Sequence, residues 1–375
     1  MIVICNLTKE KKRIMKKQKR KMTVIALLLT MVLALAGCGG GGEAGGGSAA
    51  EANAGVRNIT FAAPDGWALD TASEGSSLAF KSPDSGAVLS VYAQTQEDLD
   101  RMKEYNEKIT AATLQEYFDS FGQETEEELK ERHVEHEKTT MLGTDAWIYK
   151  AVKDDGSLTE KTTEFLLDDA IYYASMYSEH SYDSEGNFNE DATSFTDKEL
   201  AAYDAVVASL QKGDGEAFLK EYLKADSVGS IAFVIPAGYS VKYVSDSYVD
   251  LKKDGSKSIT ISLSMTTEDD LQYFTDEDGN VPESLEAEFK NGTEFAAEED
   301  KTTIAGFDGV VWKYPDEDDK MHNASAEFLA DDAIYNVYMN TDAWDNDGNL
   351  KPDAEELTEE DIAAYDSFIA SLKKK

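Results

Sequence analysis

The chain contains two copies of one sequence unit, and this repeat limits the possible folds more than any other feature. The first copy opens with Phe61-x-x-Pro-x-Gly-Trp67 and the second with Phe233-x-x-Pro-x-Gly-Tyr239. Further matching segments are 138–145 with 301–308, 164–172 with 327–335, and 201–204 with 363–366. We therefore expect two equivalent folding units, each large enough to bury a core of its own.

The apolar periodicity of a unit indicates its order of elements. Strand patterns occupy residues 59–63, 87–93, 145–152, 161–167 and 170–177. The pair Asp168–Asp169 is expected in the tight turn between the last two strands. Thr196 and Glu199 have the spacing of a capping box, which predicts the start of a closing helix. Consecutive hairpins imply an antiparallel sheet, and two helices per unit must cover it, so the sequence predicts an α+β fold.

This order of elements, the Phe-x-x-Pro-x-Gly-aromatic opening and the closing helix ending at Ser209-Leu210 resemble the α/β/α sandwich of the photosystem protein PsbP and the Ran-binding Mog proteins. The resemblance covers both repeats. It implies two tandem copies of an antiparallel β-sheet flanked by helices, acting as a binding scaffold. No catalytic residue of that family maps onto this sequence, so no activity is inherited from it.

The first 38 residues have the features of a bacterial lipoprotein leader. Residues 1–37 hold nine Lys or Arg, all between Lys9 and Lys21, followed by an apolar stretch from Met22 to Gly37. That stretch is shorter than the about 20 residues of a membrane span, as in a signal peptide. Leu35-Ala36-Gly37-Cys38 resembles a lipobox, which implies cleavage before Cys38 and lipid on its thiol. We expect a lipid-anchored protein on the extracytoplasmic face of the cell membrane.

These features give a map of the whole chain. The expected segments are a signal peptide at 1–37, a Gly/Ala-rich tether at 38–56, a first α/β repeat at 57–213, a linker at 214–228 and a second repeat at 229–375. A Gly-rich tether behaves as a flexible coil, which lets the folded part stand away from the membrane. Cleavage would remove Cys5 and leave Cys38 as the sole cysteine, so no disulfide is expected.

The charge of the chain limits its partners. The formal net charge is −38, and removing the basic leader makes the remainder still more acidic. Such a surface repels phosphate backbones, which argues against nucleic-acid binding. The expected partners are the membrane, through the lipid on Cys38, and an envelope protein or a small ligand.

One loop near the end of the chain has partial features of a calcium site. The candidate ligands are Asp345, Asp347, Asn349, Asp353 and Glu356. They occupy positions one, three, five, nine and twelve of an EF-hand loop, but Leu350 stands where such loops carry glycine. Gly348-Asn349 is also a strong turn signal, and a polar turn is the favoured interpretation. Apart from this possible Ca²⁺, no cofactor is predicted.

Other polar motifs have structural interpretations. The pairs Asp168–Asp169 and Asp331–Asp332 could act as catalytic carboxylates, but neighbouring residues in a strand point to opposite faces, which favours turn positions. His133 and His136 lack the spacing and the third ligand of a zinc site, and we expect them on a solvated surface.

The sequence favours a non-enzymatic binding module. Its four tryptophans, Trp67, Trp147, Trp312 and Trp344, could line a ligand groove, although packing is the default interpretation. Two tandem units create a cleft between them, and clefts of this kind are common ligand sites. The alternatives are a carboxylate-dependent hydrolase of the envelope and a Ca²⁺-binding surface protein.

Overall fold

A computed structural model describes most of the chain from residue 52 onward. The described residues are 52–106, 109–123, 129–130, 133–178, 181, 188–189, 191–256, 258–274, 281–294, 296–297, 300–313, 315, 320–331, 333–341, 351 and 355–375. The expected signal peptide, Cys38 and most of the tether lie outside these ranges. Within them, no helix combines the length and the hydropathy needed to cross a bilayer.

Strands make up most of the regular structure in the described residues. The strands are β1 Ala54–Val56, β2 Ile59–Phe61, β3 Ala68–Ser73, β4 Ser77–Lys81, β5 Val88–Thr95, β6 Val134–Met141, β7 Thr144–Val152, β8 Leu158–Leu167, β9 Ala170–Tyr177, β10 Gln211–Lys212, β11 Ser227–Val228, β12 Ile231–Ala232, β13 Tyr239–Ser245, β14 Tyr248–Lys253, β15 Thr260–Thr266, β16 Lys301–Ile304, β17 Phe307–Trp312, β18 Asn323–Leu329, β19 Ile334–Asn340 and β20 Lys373–Lys374. The α-helices are α1 Gln96–Tyr105, α2 Leu114–Ser120, α3 Asp197–Ser209, α4 Gly215–Tyr222, α5 Leu285–Thr293 and α6 Glu359–Ser371. Two 3₁₀ turns occupy Phe121–Gln123 and Glu268–Tyr273.

Both repeats contribute to one large antiparallel sheet. Among the described residues it has fourteen strands in the order β16-β17-β18-β19-β15-β14-β13-β3-β4-β5-β9-β8-β7-β6. The repeats join where β13 pairs with β3, with Tyr243 opposite Ser73, Val244 opposite Ala72 and Ser245 opposite Thr71.

The prediction of two helix-flanked α/β/α sandwiches is therefore wrong. The fold is mainly β, with one sheet running through both repeats instead of a separate sheet in each. The physical reason is that β3 and β13 would each be an open edge with unpaired backbone groups, and pairing satisfies both edges. The apolar periodicity indicates strands but carries no information about which edges meet.

One face of the sheet forms a hydrophobic core shared by both repeats, covered by the closing helices α3 and α6. Tyr203 on α3 and Tyr365 on α6 are fully buried. The Tyr203 hydroxyl donates to the carbonyl of Ala174 at 3.1 Å, and that of Tyr365 donates to Val337 at 3.3 Å. Each closing helix is thus held to the corresponding strand of its own repeat, β9 or β19.

Both closing helices begin with a capping box. Thr196 caps α3 together with Glu199, as the spacing predicts, and Thr358 caps α6 together with Asp361. Such caps contribute about 1 kcal/mol each. Glu199 and Asp361 are both almost completely buried, so their carboxylates depend on these hydrogen bonds.

A short hairpin packs against the core in each repeat. β1 pairs with β2 in the first repeat and β11 with β12 in the second. The turn amide of Asn58 donates to the Tyr172 hydroxyl at 3.3 Å, and that of Ser230 donates to the Tyr335 hydroxyl at 3.0 Å. β1 begins at Ala54, so ordered structure starts inside the segment assigned to the tether.

Candidate binding site

Most of the residues predicted to bind lipid or metal lie outside the described residues. These are Cys38, Asp345, Asp347, Asn349 and Asp353. Glu356 is described, is about half exposed, and lies 3.6 Å from the Nζ of Lys320. Within the described ranges, no group of three or more His, Cys, Asp or Glu side chains is arranged to hold a metal ion.

Of the carboxylate pairs of the sequence, Asp168–Asp169 lies in a turn, whereas Asp332 of the second pair lies outside the described residues. Asp168 and Asp169 connect β8 to β9, and Asp168 has a φ of 54°. Asp169 accepts a hydrogen bond from Arg57 at 2.7 Å, while Asp331 forms an ion pair with Lys374. These contacts tie the turns to the strands β1, β2 and β20 nearby, which is a structural role.

The histidines are less solvated than the sequence suggests. His133 and His136 are half-buried; the ring of His133 stacks on Phe188 at 4.8 Å and that of His136 stacks on Trp147 at 5.3 Å. His136 also lies within β6, a strand that the periodicity did not reveal. The expectation of a solvated surface is therefore wrong for both.

A cleft of about 650 Å³ lies where the two repeats meet. Its size falls in the range of about 300–1,000 Å³ that is usual for small-molecule sites. We call it the junction cleft. It is lined by Leu69, Asp70, Lys224, Ala225, Asp226, Ser227, Gly229, Val244, Ser245, Asp246, Met265 and Lys375. Strands of both repeats, the linker and Lys375, which follows β20, all contribute.

The end of the β3–β13 ladder positions the cleft. The last paired residues are Thr71 and Ser245, and the neighbours beyond them, Asp70 and Asp246, both line the opening. The start of the second repeat crosses here, because the amide of Gly229 donates to the carbonyl of Asp246 at 3.3 Å. A Cβ on Gly229 would overlap Met265 Sδ and the Tyr335 hydroxyl, so this close approach requires glycine.

The cleft combines apolar side chains with a charged rim. Leu69, Val244 and Met265 extend the hydrophobic core into it. On the rim, Lys224 contacts Glu221 at 2.5 Å, and Asp226 accepts a hydrogen bond from Ser227 at 3.0 Å. The described lining residues include neither histidine nor cysteine. This arrangement suits an amphipathic ligand that carries polar or charged ends.

In the second repeat the sheet face opposite the core is polar, which the sequence reasoning missed. Strand pairing places Tyr243, Asp250, Ser262, Tyr338, Ser325 and Trp312 in one row across six neighbouring strands. The sequence does indicate this face, because polar and apolar residues alternate along the strands. β15 contains Ser262-Leu263-Ser264 and β19 contains Asn336-Val337-Tyr338.

A mostly buried carboxylate, that of Asp250, lies in this row. Burial raises the pKa of Asp250 to about 6, against the opposing effect of Lys242, whose Nζ lies 3.6 Å away. Of the tryptophans, Trp312 lies on this polar face, Trp147 packs against smaller apolar clusters of the first repeat, and Trp67 packs against the core. Trp344 lies outside the described residues.

Comparison with known proteins yields no family. No protein-family model matches the chain, and no curated protein matches it. The chain is similar to a protein from Bacteroides thetaiotaomicron VPI-5482 solved at 1.50 Å resolution, with 10% identity and a TM-score of 0.24 over 40% of this chain and 47% of that one. It is also similar to the Tle4-Tli4 complex, with 10% identity and a TM-score of 0.24 over 83% of this chain and 98% of that one. The chain thus spans about half of the Bacteroides protein. Similarity at this level carries no argument about fold or function.

Proposed function

We propose that this protein is a lipid-anchored extracytoplasmic lipoprotein that acts as a non-catalytic binding module, with the junction cleft as its ligand site. The cleft is the observation that carries the proposal, because its volume falls in the range of small-molecule sites and its lining offers both apolar and polar groups. The lipobox at Leu35–Cys38 supports the anchor. An attached protein with a preformed cleft would capture its ligand at the outer surface of the membrane.

The ligand is proposed to be a small amphipathic molecule. Its apolar part would contact Leu69, Val244 and Met265, and its polar ends would reach the rim, where acidic and basic side chains are both present. A purely anionic ligand is disfavoured by three rim aspartates in a chain of net charge −38.

Filling the cleft tests the proposal. Ser245→Trp places a large side chain in the cleft, whereas Ser240→Trp places the same side chain at an exposed position of the same strand. The full-length protein, solubilised in detergent, is screened by thermal shift against a library of amphipathic metabolites. Ligands found with the natural protein and with Ser240→Trp should be lost with Ser245→Trp.

Two results would contradict the proposal. One is equal binding by both tryptophan variants, which would place the ligand elsewhere. The other is the absence of any ligand in the screen together with no partner recovered after mild crosslinking of membranes. Turnover of glycoside or ester substrates would instead favour the hydrolase alternative, which needs two carboxyl groups at about 5–10 Å in one pocket.

A further inference from the structure

The polar face of the second repeat has hydrogen-bonding groups that the protein itself does not use. Ser264 and Asn336 are directly paired between β15 and β19, and Ser325 is paired with Tyr338 between β18 and β19. All are partly exposed. Within the described residues, the side chains of Ser264, Asn336 and Ser325 make no hydrogen bond. They therefore present donors and acceptors to whatever approaches this face.

Aromatic rings flank these groups. Tyr248 is paired with Ser264 at one end, and Trp312 is paired with Ser325 at the other. Tyr338 stands between them on β19. Each of the three rings is partly exposed, so each offers an apolar surface next to a polar group. We call Tyr248, Ser264, Asn336, Tyr338, Ser325 and Trp312 the tyrosine–serine face.

This face is locally neutral although the chain is strongly acidic. The nearby Asp250 is mostly buried and has Lys242 at 3.6 Å, and Glu327, in the row of Ser264 and Asn336, is buried. A Cβ on Gly292 of α5 would touch Glu327, so the helix covers this carboxylate. None of the six residues of the face carries a charge, and the nearby Lys242, which is about half exposed, lies against Asp250. The six residues therefore select neither a cationic nor an anionic ligand.

The backbone hydrogen-bonding groups of the strands that form this face are also already paired. β14, β15, β19, β18 and β17 each pair with a strand on both sides. A peptide therefore cannot add to the sheet here by main-chain pairing, which is the usual mode of strand recognition. Recognition must come from hydroxyl, amide and aromatic side chains.

We propose that the tyrosine–serine face binds a neutral glycan. A sugar ring presents hydroxyl groups to Ser264, Asn336 and Ser325 and a CH-rich surface to the aromatic rings, and it carries no charge. This site lies on the sheet face opposite the hydrophobic core and goes beyond the proposed ligand in the junction cleft. Either site can exist without the other.

A glycan array followed by calorimetry tests the proposal. The probes are immobilised neutral hexasaccharides of glucose, mannose, galactose or N-acetylglucosamine, and the best binder is then titrated against detergent-solubilised full-length protein. Asn336→Ala should weaken binding about 10-fold through lost hydrogen bonds, and Trp312→Ala by a similar factor.

Ser240→Ala on the exposed part of β13 serves as a matched control and should bind normally, as should the cleft variant Ser245→Trp. Raising the salt from about 0.05 to about 0.5 M should leave the affinity unchanged, because no charge pair is involved.

Three outcomes would overturn the proposal. The first is an array without a signal. The second is unchanged affinity in both Asn336→Ala and Trp312→Ala; because the asparagine change removes only a partly exposed amide, misfolding does not confuse the result. The third is recovery of a protein or peptide that needs this face while no glycan binds. Loss of glycan binding in Ser245→Trp but not in Asn336→Ala would place the glycan in the junction cleft instead.

Discussion

Nζ of Lys253 donates a hydrogen bond to the carboxylate of Asp361 at 2.6 Å, which connects β14 to the capping box of α6. The Tyr239 hydroxyl lies 3.5 Å from the same carboxylate. In the first repeat Glu199 occupies the equivalent position, and its carboxylate accepts from Ser85. The first turn of each closing helix thus contains a buried carboxylate. Residues outside the helix, in the sheet part of the same repeat, stabilise that carboxylate.

Removing the Lys253 ammonium should destabilise the second repeat. Lys253→Met leaves Asp361 buried with its helix cap alone, and we expect the free energy of unfolding to fall by about 1–3 kcal/mol. Lys252→Met is the matched control, since Lys252 makes an exposed ion pair with Glu74 at 3.3 Å and should cost under about 1 kcal/mol. Denaturant unfolding followed by circular dichroism measures the stability of both variants. Equal losses of stability would contradict a stabilising role for the contact between Lys253 and Asp361.

The same contact predicts a pH dependence. Burial alone would raise the pKa of Asp361, but the hydrogen bonds from Lys253 and Thr358 outweigh it and hold the pKa below its ordinary value. Its contribution to stability is therefore present above the unfolded-state pKa of about 3.9 and is lost as the pH falls through the lower folded-state pKa. The stability difference between the natural protein and Lys253→Met should shrink at acidic pH. A difference that grows as the pH falls would be inconsistent with this.

Ionisation of Asp250 should change the stability in the opposite direction to ionisation of Asp361. Because burial raises its pKa to about 6, its ionisation weakens the folded state as the pH rises from about 4 to about 6. Asp250→Asn removes this titration, so the variant should gain stability relative to the natural protein over that interval, by at most about 2 kcal/mol. Asp308→Asn, at an exposed position, serves as the control for the change from carboxylate to amide. A carboxyl resonance of Asp250 titrating near 4 in a carbon-13 spectrum would refute the prediction.

Gly229 should be more sensitive to substitution than another glycine with positive φ. A Cβ at Gly229 would overlap Met265 and Tyr335, whereas a Cβ at Gly238, with a φ of 80°, would meet nothing within 4 Å. Gly238→Ala should therefore cost about 1–2 kcal/mol of backbone strain, and Gly229→Ala roughly 2–4 kcal/mol because overpacking adds to it. Thermal unfolding of both variants measures the difference; equal midpoints would mean that the hairpin turn can move away from the core.

The anchor is predicted to depend on Cys38. Cys38→Ser should block lipid transfer and the cleavage that follows it, because no thiol remains to carry the lipid, while the folded repeats keep their stability. Growth of cells with a radioactive fatty acid, followed by fractionation, compares the two forms. Label on the serine variant equal to that on the natural protein would rule out Cys38 as the attachment point.

Features set by neighbouring residues could be predicted from the sequence. The turn at Asp168–Asp169 and the capping box of Thr196 and Glu199 depend on residues at most three apart, so the local pattern indicates them. The pairing of Val244 with Ala72 could not be predicted, because these residues are far apart in sequence and no local preference selects one strand edge over another. That one pairing separates the observed sheet from the expected pair of sandwiches.

The candidate site was foreseeable in place but not in detail. Two tandem units predict a cleft between them, yet the lining from Lys224 to Ser227 belongs to a segment that reads as a plain linker. Asp250 is one of many carboxylates in an acidic chain, and its burial follows from strand pairing with Ser262, which the sequence does not specify.

The pairing of β3 with β13 tests the central claim most directly, since it makes one sheet of the two repeats and forms the junction cleft. Thr71→Cys with Ser245→Cys places two thiols at directly opposite positions of this ladder, at a Cβ separation of about 4.5–5.5 Å. In a background that carries both Cys5→Ser and Cys38→Ser, mild oxidation should close this disulfide rapidly. The disulfide should form much more slowly in the mis-registered pair Thr71→Cys with Tyr243→Cys. Mass spectrometry of peptides with and without reductant measures the extent. Efficient closure of the first pair alone is the predicted result; no closure, or equal closure of both pairs, would contradict the joined sheet and the cleft that depends on it.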